Sequence, residues 1–223
     1  INVVKKILAK YDWAPQCYYY IDAYCGPGEN PEVETTGSPT VFLETAKDIE
    51  IPFRAWFIDI EANNTTLLKA RLGESDNFDI LTGDNRLIVP RIAEKLPKHA
   101  YGLIYADATN VPDFDLLGYI SRLPNLKRFD ILIRYSASMV KRTRHLTGMQ
   151  MNDYLKQIDK KYWIIRDILP GDKWQWTFLL GMNWPDMNEW TSQRFYKINS
   201  EKGKEIFDLC NNMRKQKTLN DAI

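Results

Sequence analysis

Five short apolar segments, each followed by a helical pattern, constrain the fold of this chain more than any other feature. They lie at residues 17–24, 54–60, 78–81, 101–106 and 129–135. Strands without polar alternation, each followed by a helix, are typical of a parallel sheet covered on both faces. The pattern therefore predicts a doubly wound α/β fold with a mostly parallel sheet and helices on both faces.

The rest of the chain is less regular. We predict an amphipathic helix at residues 1–11, a helical, basic insertion at residues 136–175 and a final helix at residues 202–213. Two late strands at residues 176–183 and 194–198 are predicted to form an antiparallel pair at one edge. The length of 223 residues suits one α/β domain that spans residues 1–223.

Composition excludes several classes of protein. The net charge of +1 gives no overall attraction to nucleic acid or membrane, so a nucleic-acid partner needs a local basic patch. No apolar run approaches the ~20 residues that span a bilayer, so no membrane partner is expected. The three cysteines form no CxxC pair, which argues against a disulfide framework or a self-contained zinc site. A reducing, cytoplasmic setting without a bound metal is the expectation.

Four successive predicted strands each have an acidic residue at or just after their carboxyl end. These acids are Asp22, Asp59, Asp84 and Asp107. One such acid is typical of a helix N-cap or a solvated loop. Ligands of open parallel sheets bind beyond the carboxyl ends of the strands, so four acids at one edge favour a shared ligand. The same edge carries further candidate residues, the last of them at the end of the fifth strand: Tyr24, Gly26, Gly28, Gly83, Asn85 and Tyr135.

The first of these loops contains a glycine turn. Gly26 and Gly28 allow the backbone to approach a bound molecule, because no Cβ intervenes. A dinucleotide site needs a third glycine where this chain has Pro31, which disfavours an NAD-linked oxidoreductase. The acids nearby also disfavour a pyrophosphate. A ligand with a sulfonium, an ammonium and a ribose fits this acidity better.

An ordered set of motifs gives a more specific indication. IDAYCGPG at residues 21–28 resembles the first motif of class I S-adenosylmethionine-dependent methyltransferases. With GSP at residues 37–39, FIDIE at 57–61, TGD at 82–84, IYAD at 104–107 and DILI at 130–133, it resembles the three-Cys-motif partner family, a bacterial and phage-associated group of methyltransferase-like proteins. The resemblance covers about residues 17–145 and implies a Rossmann-like methyltransferase sheet with S-adenosylmethionine as cofactor.

The resemblance also implies roles for individual residues. Gly26 and Gly28 would form the turn under the methionine portion of the cofactor, and Asp22 would face its ammonium directly or through water. Asp59 would accept hydrogen bonds from both ribose hydroxyls. Asp84 would accept from the adenine amino group, with Asn85 beside it.

The acceptor side departs from the family pattern. Asp107 would lie nearest the transferring methyl, but this chain has Ala108 where the family commonly has proline, and it lacks the motif with which amino-group methyltransferases hold their target nitrogen. A base is helpful only where the nucleophile must lose a proton early, and Asp107 is the first candidate, with Tyr135 the second. A cofactor-binding module that lacks catalysis and acts with a protein partner is the alternative.

The acceptor itself is predicted from charge and aromatic content. Lys141, Arg142 and Arg144 follow the fifth strand, so they either contact phosphates of a nucleic acid or form a solvated helix face. The aromatic residues of the late segment could stack on a base or pack on the core; they are Trp174, Trp176, Trp184 and Trp190. We predict that the acidic loop at residues 29–39 closes over the bound cofactor or acceptor.

Overall fold

The fold is built on one eight-stranded sheet. The structure is a computed structural model that describes residues 17–30, 35–108, 112–168, 176–183 and 191–211. The predicted helix at residues 1–11 and the side chains of Trp174, Trp184 and Trp190 lie outside these ranges. The strands of the sheet are β1 (Tyr18–Asp22), β4 (Phe53–Asp59), β5 (Phe78–Thr82), β6 (Tyr101–Ala106), β7 (Phe129–Ser136), β8 (Tyr162–Arg166), β9 (Trp176–Met182) and β10 (Phe195–Lys197).

The order of the strands places a topological switch point in the middle of the sheet. The order is β10-β8-β9-β7-β6-β1-β4-β5, and β1, β4, β5, β6 and β7 run parallel as predicted. The chain moves outward from β1 to β4 and β5 and then returns to the other side of β1 as β6. Such a reversal opens a crevice at the carboxyl ends of the two central strands, here β1 and β6.

Helices cover both faces of the sheet. Helices α1 (Ser38–Asp48) and α2 (Ala62–Leu72) pack on one face. Helices α3 (Asn85–Lys95), α4 (Phe114–Ser121), α5 (Ala137–Thr147), α6 (Met151–Gln157) and α7 (Glu201–Asn211) pack on the other. Within the described ranges, no helix is long and apolar enough to span a membrane.

Alternation along the strands explains the two-sided core. In β1, Tyr20 packs with the α1–α2 side and Ile21 with the opposite side, because successive strand residues point to opposite faces. Tyr20 stacks on Phe42 of α1 with ring centroids 4.0 Å apart. This contact holds α1 against the strand that leads into the glycine turn.

The basic insertion is not helical throughout. The sequence predicts helix from residue 136 onward, and the structure has α5 and α6 followed by strand β8. The helical prediction is therefore wrong at β8. Its Ile164 and Ile165 are both fully buried because β8 lies between two strands, and β-branched and aromatic residues favour that position. Residues 169–175 lie outside the described ranges.

The antiparallel edge also differs from the prediction. β9 pairs antiparallel with both β7 and β8, and β10 pairs with β8. The late strands do not pair with each other, because β8 separates them. The edge is antiparallel as expected, with one more strand than the sequence indicated.

The acidic loop has regular structure at both of its ends. β2 (Glu29–Asn30) and β3 (Thr35–Thr36) form a short antiparallel pair, and α1 begins at Ser38. The prediction of a loop over residues 29–39 therefore misses this pair. Residues 31–34 lie outside the described ranges.

Candidate functional site

Four acids meet at the carboxyl edge of the parallel strands. Asp22 ends β1, Asp59 ends β4, Asp84 follows β5 by two residues and Asp107 follows β6 directly. Neighbouring strands lie about 4.8 Å apart, so the loops that carry these acids are neighbours in space. The predicted clustering of these loops follows from the strand order.

Asp59 connects three of the loops. Its Oδ2 accepts a hydrogen bond from the Gly26 backbone N–H at 2.9 Å, and its Oδ1 accepts one from Glu61 N–H at 2.8 Å. Its backbone carbonyl accepts from Gly83 N–H at 2.9 Å. The carboxylate therefore positions the glycine turn, and each of its oxygens keeps a lone pair for a further donor.

The glycine turn leaves an open space beside Gly26. Gly26 and Gly28 have φ values of +60° and +85°, which side-chain-bearing residues rarely adopt. A Cβ at Gly26 would have no heavy atom within 4 Å, whereas a Cβ at Gly28 would lie 2.6 Å from Leu68 Cδ1. Gly28 is thus required for packing on α2, and Gly26 borders space that a ligand can enter.

Asp22 is buried beneath this turn. It is 0% exposed, and its carboxylate accepts hydrogen bonds from Ser38 Oγ at 2.6 Å and Tyr24 N–H at 3.2 Å. Burial raises its pKa to about 7, against the lowering effect of these hydrogen bonds. Asp22 thus supports the first residue of α1 and the glycine turn, and a direct contact with a bound ammonium would need the turn to move.

The loop after β5 places one acid in solvent and one amide in the interior. Asp84 is exposed, and its Oδ1 caps α3 by accepting from Arg86 N–H at 2.8 Å. Asn85 is buried, and its Nδ2 donates to the Ala23 carbonyl. Its Oδ1 has no hydrogen-bond partner. A buried acceptor without a donor is costly, so Asn85 Oδ1 is suited to a donor from a ligand.

Tyr24 lies half-buried on the side of the turn that faces α4. Its hydroxyl lies within hydrogen-bonding reach of the Asp113 backbone, and burial raises its pKa. Asp113 caps α4 and pairs with Arg86 at 2.5 Å. Tyr24 thus connects the glycine turn to the first residues of α3 and α4.

Two exposed aliphatic side chains follow strand ends at the carboxyl edge of the sheet, which is called the rim below. Neither was among the candidates chosen from the sequence. Ile60 follows Asp59 and is 67% exposed, and Leu87 lies in the first turn of α3 and is 60% exposed. Large apolar side chains beside strand-end acids could have been found in the sequence, because each follows a candidate acid within three residues. They offer apolar surface to a planar ring.

Asp107 makes two side-chain hydrogen bonds on the α1–α2 side of the sheet. Its Oδ2 accepts from the Tyr105 hydroxyl at 2.9 Å, and its Oδ1 accepts from Arg134 Nη1 at 3.1 Å. Burial raises the pKa of Tyr105, so its hydroxyl remains a donor. The sequence reasoning did not assign Arg134 a place beside Asp107, since the two residues lie far apart in the chain.

Tyr135 does not reach this site. It is 0% exposed, stacks on Phe207 at 5.4 Å and donates its hydroxyl hydrogen to Asn211 Oδ1 at 2.9 Å. Successive residues of β7 point to opposite faces, so Tyr135 faces α7 while Arg134 faces Asp107. A proton-transfer role for Tyr135 does not fit this position, and we correct that prediction.

The basic residues lie on an exposed surface of α5. Lys141, Arg142 and Arg144 are all exposed, and α5 packs through Val140 and Thr143. At 1.5 Å per residue, Lys141 lies about 6 Å and Arg144 about 10 Å along the helix from its first residue. The structure therefore places these side chains beyond the rim itself, on the helix that begins there.

Comparisons with known proteins identify the fold. No family model matches the sequence, and no curated protein matches it significantly. Among solved structures, the CurJ carbon methyltransferase matches with a TM-score of 0.52 and 12% identity, over 82% of this chain and 52% of that chain.

Other solved structures match with lower scores. The fibrillarin/Nop5p complex gives a TM-score of 0.48 with 14% identity, over 82% of this chain and 81% of that chain. M. jannaschii TYW2 in complex with AdoMet gives a TM-score of 0.43 with 13% identity, over 81% of this chain and 74% of that chain. At these identities the likeness shows the fold alone, and the resemblance to the three-Cys-motif partner family stays a prediction. The chain has the α/β Rossmann-like methyltransferase fold, with a mostly parallel sheet and one antiparallel edge.

Proposed function

We propose that this chain is an S-adenosylmethionine-dependent methyltransferase whose cofactor binds at the carboxyl edge of β1, β4, β5 and β6. The observation that carries the proposal is the contact between Asp59 and the left-handed turn at Gly26, which bounds an open space at the switch point. The fold shared with a carbon methyltransferase supports it.

The described residues fit this cofactor in four respects. The space beside Gly26 admits the methionine portion, the unpartnered Asn85 Oδ1 requires a donor, and the rim acids suit a ligand with cationic groups and no phosphate. The exposed side chains of Ile60 and Leu87 suit an adenine ring. S-adenosylmethionine supplies a methyl group on a sulfonium, which is already a strong electrophile.

The roles of the side chains follow from their free hydrogen-bonding capacity. Asp59 uses its remaining lone pairs for the ribose hydroxyls, and Asn85 Oδ1 with the exposed Asp84 carboxylate accepts from the adenine amino group. Asp22 acts through the turn that it supports, with Tyr24 and Gly83 holding the neighbouring loops. Positioning of this kind can supply up to ~7–11 kcal/mol of rate enhancement without further chemistry from the protein.

We further propose a nucleic acid as the acceptor. The exposed Lys141, Arg142 and Arg144 on α5 supply local positive charge in a chain whose net charge is +1. We assign Asp107 to the acceptor side of the site, because it directly follows β6 at the switch point.

Calorimetry with S-adenosylhomocysteine tests the cofactor site through two glycines. Gly26 and Gly73 have φ values of +60° and +70°, and neither Cβ would meet a heavy atom within 4 Å. Alanine at Gly26 should cost about 1–2 kcal/mol of stability through backbone strain. Alanine at Gly73, whose ψ of −162° lies in a region that essentially only glycine adopts, should cost about 1–3 kcal/mol. We expect micromolar affinity for the native chain, at least tenfold weaker binding for Gly26→Ala and unchanged binding for Gly73→Ala, whose glycine ends α2.

Asp59→Ala is the second variant. Loss of hydrogen bonds to a charged acceptor should cost roughly 1.5–3 kcal/mol for each ribose hydroxyl. If the native chain binds NAD and does not bind S-adenosylhomocysteine, the proposal is contradicted. Unchanged affinity in both Gly26→Ala and Asp59→Ala would show that the cofactor binds elsewhere.

A further inference from the structure

An arginine lies over a tryptophan ring and pairs with a carboxylate at the acceptor side of the rim. The Arg134 guanidinium carbon lies 5.6 Å from the centroid of the Trp176 ring, and Arg134 Nη1 lies 3.1 Å from Asp107 Oδ1. These three residues are called the arginine platform below. β7 carries the arginine, β9 the tryptophan and the end of β6 the carboxylate.

The platform rests on a packed aromatic layer. The Trp176 ring contacts the Phe178 ring edge-on, with ring centroids 5.4 Å apart. The Phe178 and Tyr105 ring centroids lie 6.3 Å apart. Tyr105 in turn donates to Asp107. Adjacent antiparallel strands pair Arg134 with Phe178 and Ser136 with Trp176, so the sheet fixes the spacing of the platform. These contacts therefore hold the Arg134 guanidinium in place before any ligand binds.

The open face of the guanidinium selects a planar ligand. The Arg134 side chain is 44% exposed, although its charge is paired with Asp107 and its guanidinium carbon lies over the Trp176 ring. A paired arginine attracts a phosphate weakly, but its plane still stacks on a flat ring. Nucleobases that are free of a duplex stack on arginine planes and aromatic side chains in this way.

Asp107 gives the stacked ring an orientation. Each of its oxygens receives one hydrogen bond and retains a lone pair that can accept from an amino group of the ring. The acceptor nitrogen then forms its bond to the methyl carbon as the methyl–sulfur bond breaks, the sulfur keeps that electron pair, and a nitrogen-bound proton leaves to water. Neutral nitrogen needs no earlier deprotonation, so Asp107 can orient the amine without acting as a base.

We propose that the arginine platform binds an unpaired nucleobase whose amino group accepts the methyl. The inference rests on the proposed function, because it places the base beside that cofactor. It assigns Arg134 and Trp176 to acceptor recognition, and it defines the acceptor as a single-stranded nucleic acid or a free nucleoside with an amino-bearing base.

Fluorescence anisotropy with labelled single-stranded RNA and DNA oligonucleotides tests the platform. Unlabelled single-stranded oligonucleotides, duplexes, adenosine and cytidine serve as competitors, and S-adenosylhomocysteine is present throughout. Trp176→Leu removes the aromatic ring, and Arg134→Lys keeps the charge but loses the plane. We expect each variant to weaken binding at least about fivefold, which is the scale of one stacked base.

Arg54→Lys is the matched control. The Arg54 guanidinium also lies 5.6 Å from a tryptophan ring, that of Trp56, and is also paired with an aspartate, Asp79. This pair lies in β4, away from the acceptor side, so its variant should bind as the native chain does. Competition by nucleosides would identify a free nucleoside as the acceptor, and competition by oligonucleotides alone would identify the polymer.

Three outcomes would overturn the proposal. In the first, the native chain binds neither oligonucleotides nor nucleosides. In the second, Trp176→Leu binds as tightly as the native chain. In the third, Arg54→Lys and Arg134→Lys lose affinity to the same extent. Calorimetry with S-adenosylhomocysteine on the same samples separates this failure from failure of the cofactor site. If any of these outcomes occurs and S-adenosylhomocysteine still binds, the proposal for the arginine platform fails and the proposed cofactor site stands.

Discussion

At the scale of the residue, Asp22 illustrates how burial changes what a carboxyl group can do. Strand β1 carries it into the interior, where loss of solvation raises its pKa to about 7. Hydrogen bonds from Ser38 and Tyr24 lower the pKa, and the nearby Asp107 carboxylate raises it. The group is therefore a pH-sensitive support of the glycine turn.

The raised pKa predicts a pH-dependent stability. The native state binds the Asp22 proton more tightly than the unfolded state, in which the pKa is about 3.9. Stability from Asp22 is thus complete below about pH 4 and is lost as the pH rises to about 7. We expect the difference in unfolding free energy between native chain and Asp22→Asn to fall by more than ~1 kcal/mol over this range.

Urea denaturation at several pH values measures this difference. Ser38→Ala provides the control, because loss of its hydrogen bond should raise the Asp22 pKa further and extend the fall to higher pH. If the difference in unfolding free energy between the native chain and Asp22→Asn stays constant from pH 4 to pH 7, the raised pKa of Asp22 is refuted.

At the scale of the element, the connection from β1 to α1 depends on close contact between two glycine backbones. Gly37 N–H donates to the Gly28 carbonyl at 2.9 Å, beside the β2–β3 pair. A Cβ at Gly37 would lie 2.6 Å from the Gly28 carbonyl carbon. Only a residue without a side chain allows the loop to close at this point.

Gly37→Ala should therefore destabilise this connection. Its φ of −73° carries no strain, so the cost comes from the clash with the backbone alone and should be about 1–3 kcal/mol. Thr36→Ala, an exposed change in the same hairpin, should stay within ~0.5 kcal/mol of the native chain. Denaturant unfolding compares the two, and equal stability of Gly37→Ala and native chain would refute the close contact.

At the scale of the whole molecule, the basic residues and the arginine platform lie on different sides of the sheet. α5 packs with Tyr135 on the α3–α7 face, whereas Arg134 contacts Asp107 on the α1–α2 side. A nucleic acid that contacts both must cross the carboxyl edge. The two sites should therefore contribute differently: phosphate contacts from α5 and base stacking from the platform.

Salt dependence separates these contributions. Removal of one phosphate-binding side chain lowers the salt slope of binding by about 0.7 units on a single strand and by about 0.9 units on duplex DNA. Alanine at Lys141, Arg142 and Arg144 should therefore lower the slope by up to about two units on a single strand and about three on a duplex. Arg134→Lys should leave the slope unchanged, because its charge remains. The matched control is a triple alanine variant at the exposed Arg91 and Lys95 in the second half of α3 and at the exposed Lys98, three residues beyond its end. If the affinity of the native chain for DNA and RNA does not vary with salt concentration, the α5 residues form a solvated surface.

The local pattern of the sequence determined the parallel part of the fold and the edge at which a site can form. Apolar strands followed by helices have a short-range signature, and parallel strands necessarily bring their carboxyl ends together. This is why the loops of Asp22, Asp59, Asp84 and Asp107 could be grouped from the sequence. Strand β8 was missed because its surroundings in the chain are basic and helical.

Only the tertiary structure decided which side chains meet at that edge. Asp107 and Arg134 come from different strands, Arg134 and Trp176 meet through antiparallel pairing, and Tyr135 is drawn into the core by its contact with α7. Such contacts depend on strand order and on which face a residue takes. A shift of one residue in β7 would exchange Arg134 for Tyr135 at the rim. The alternation along β7 favours the observed face for each residue, but the strands that pair with β7 are decided by the tertiary structure.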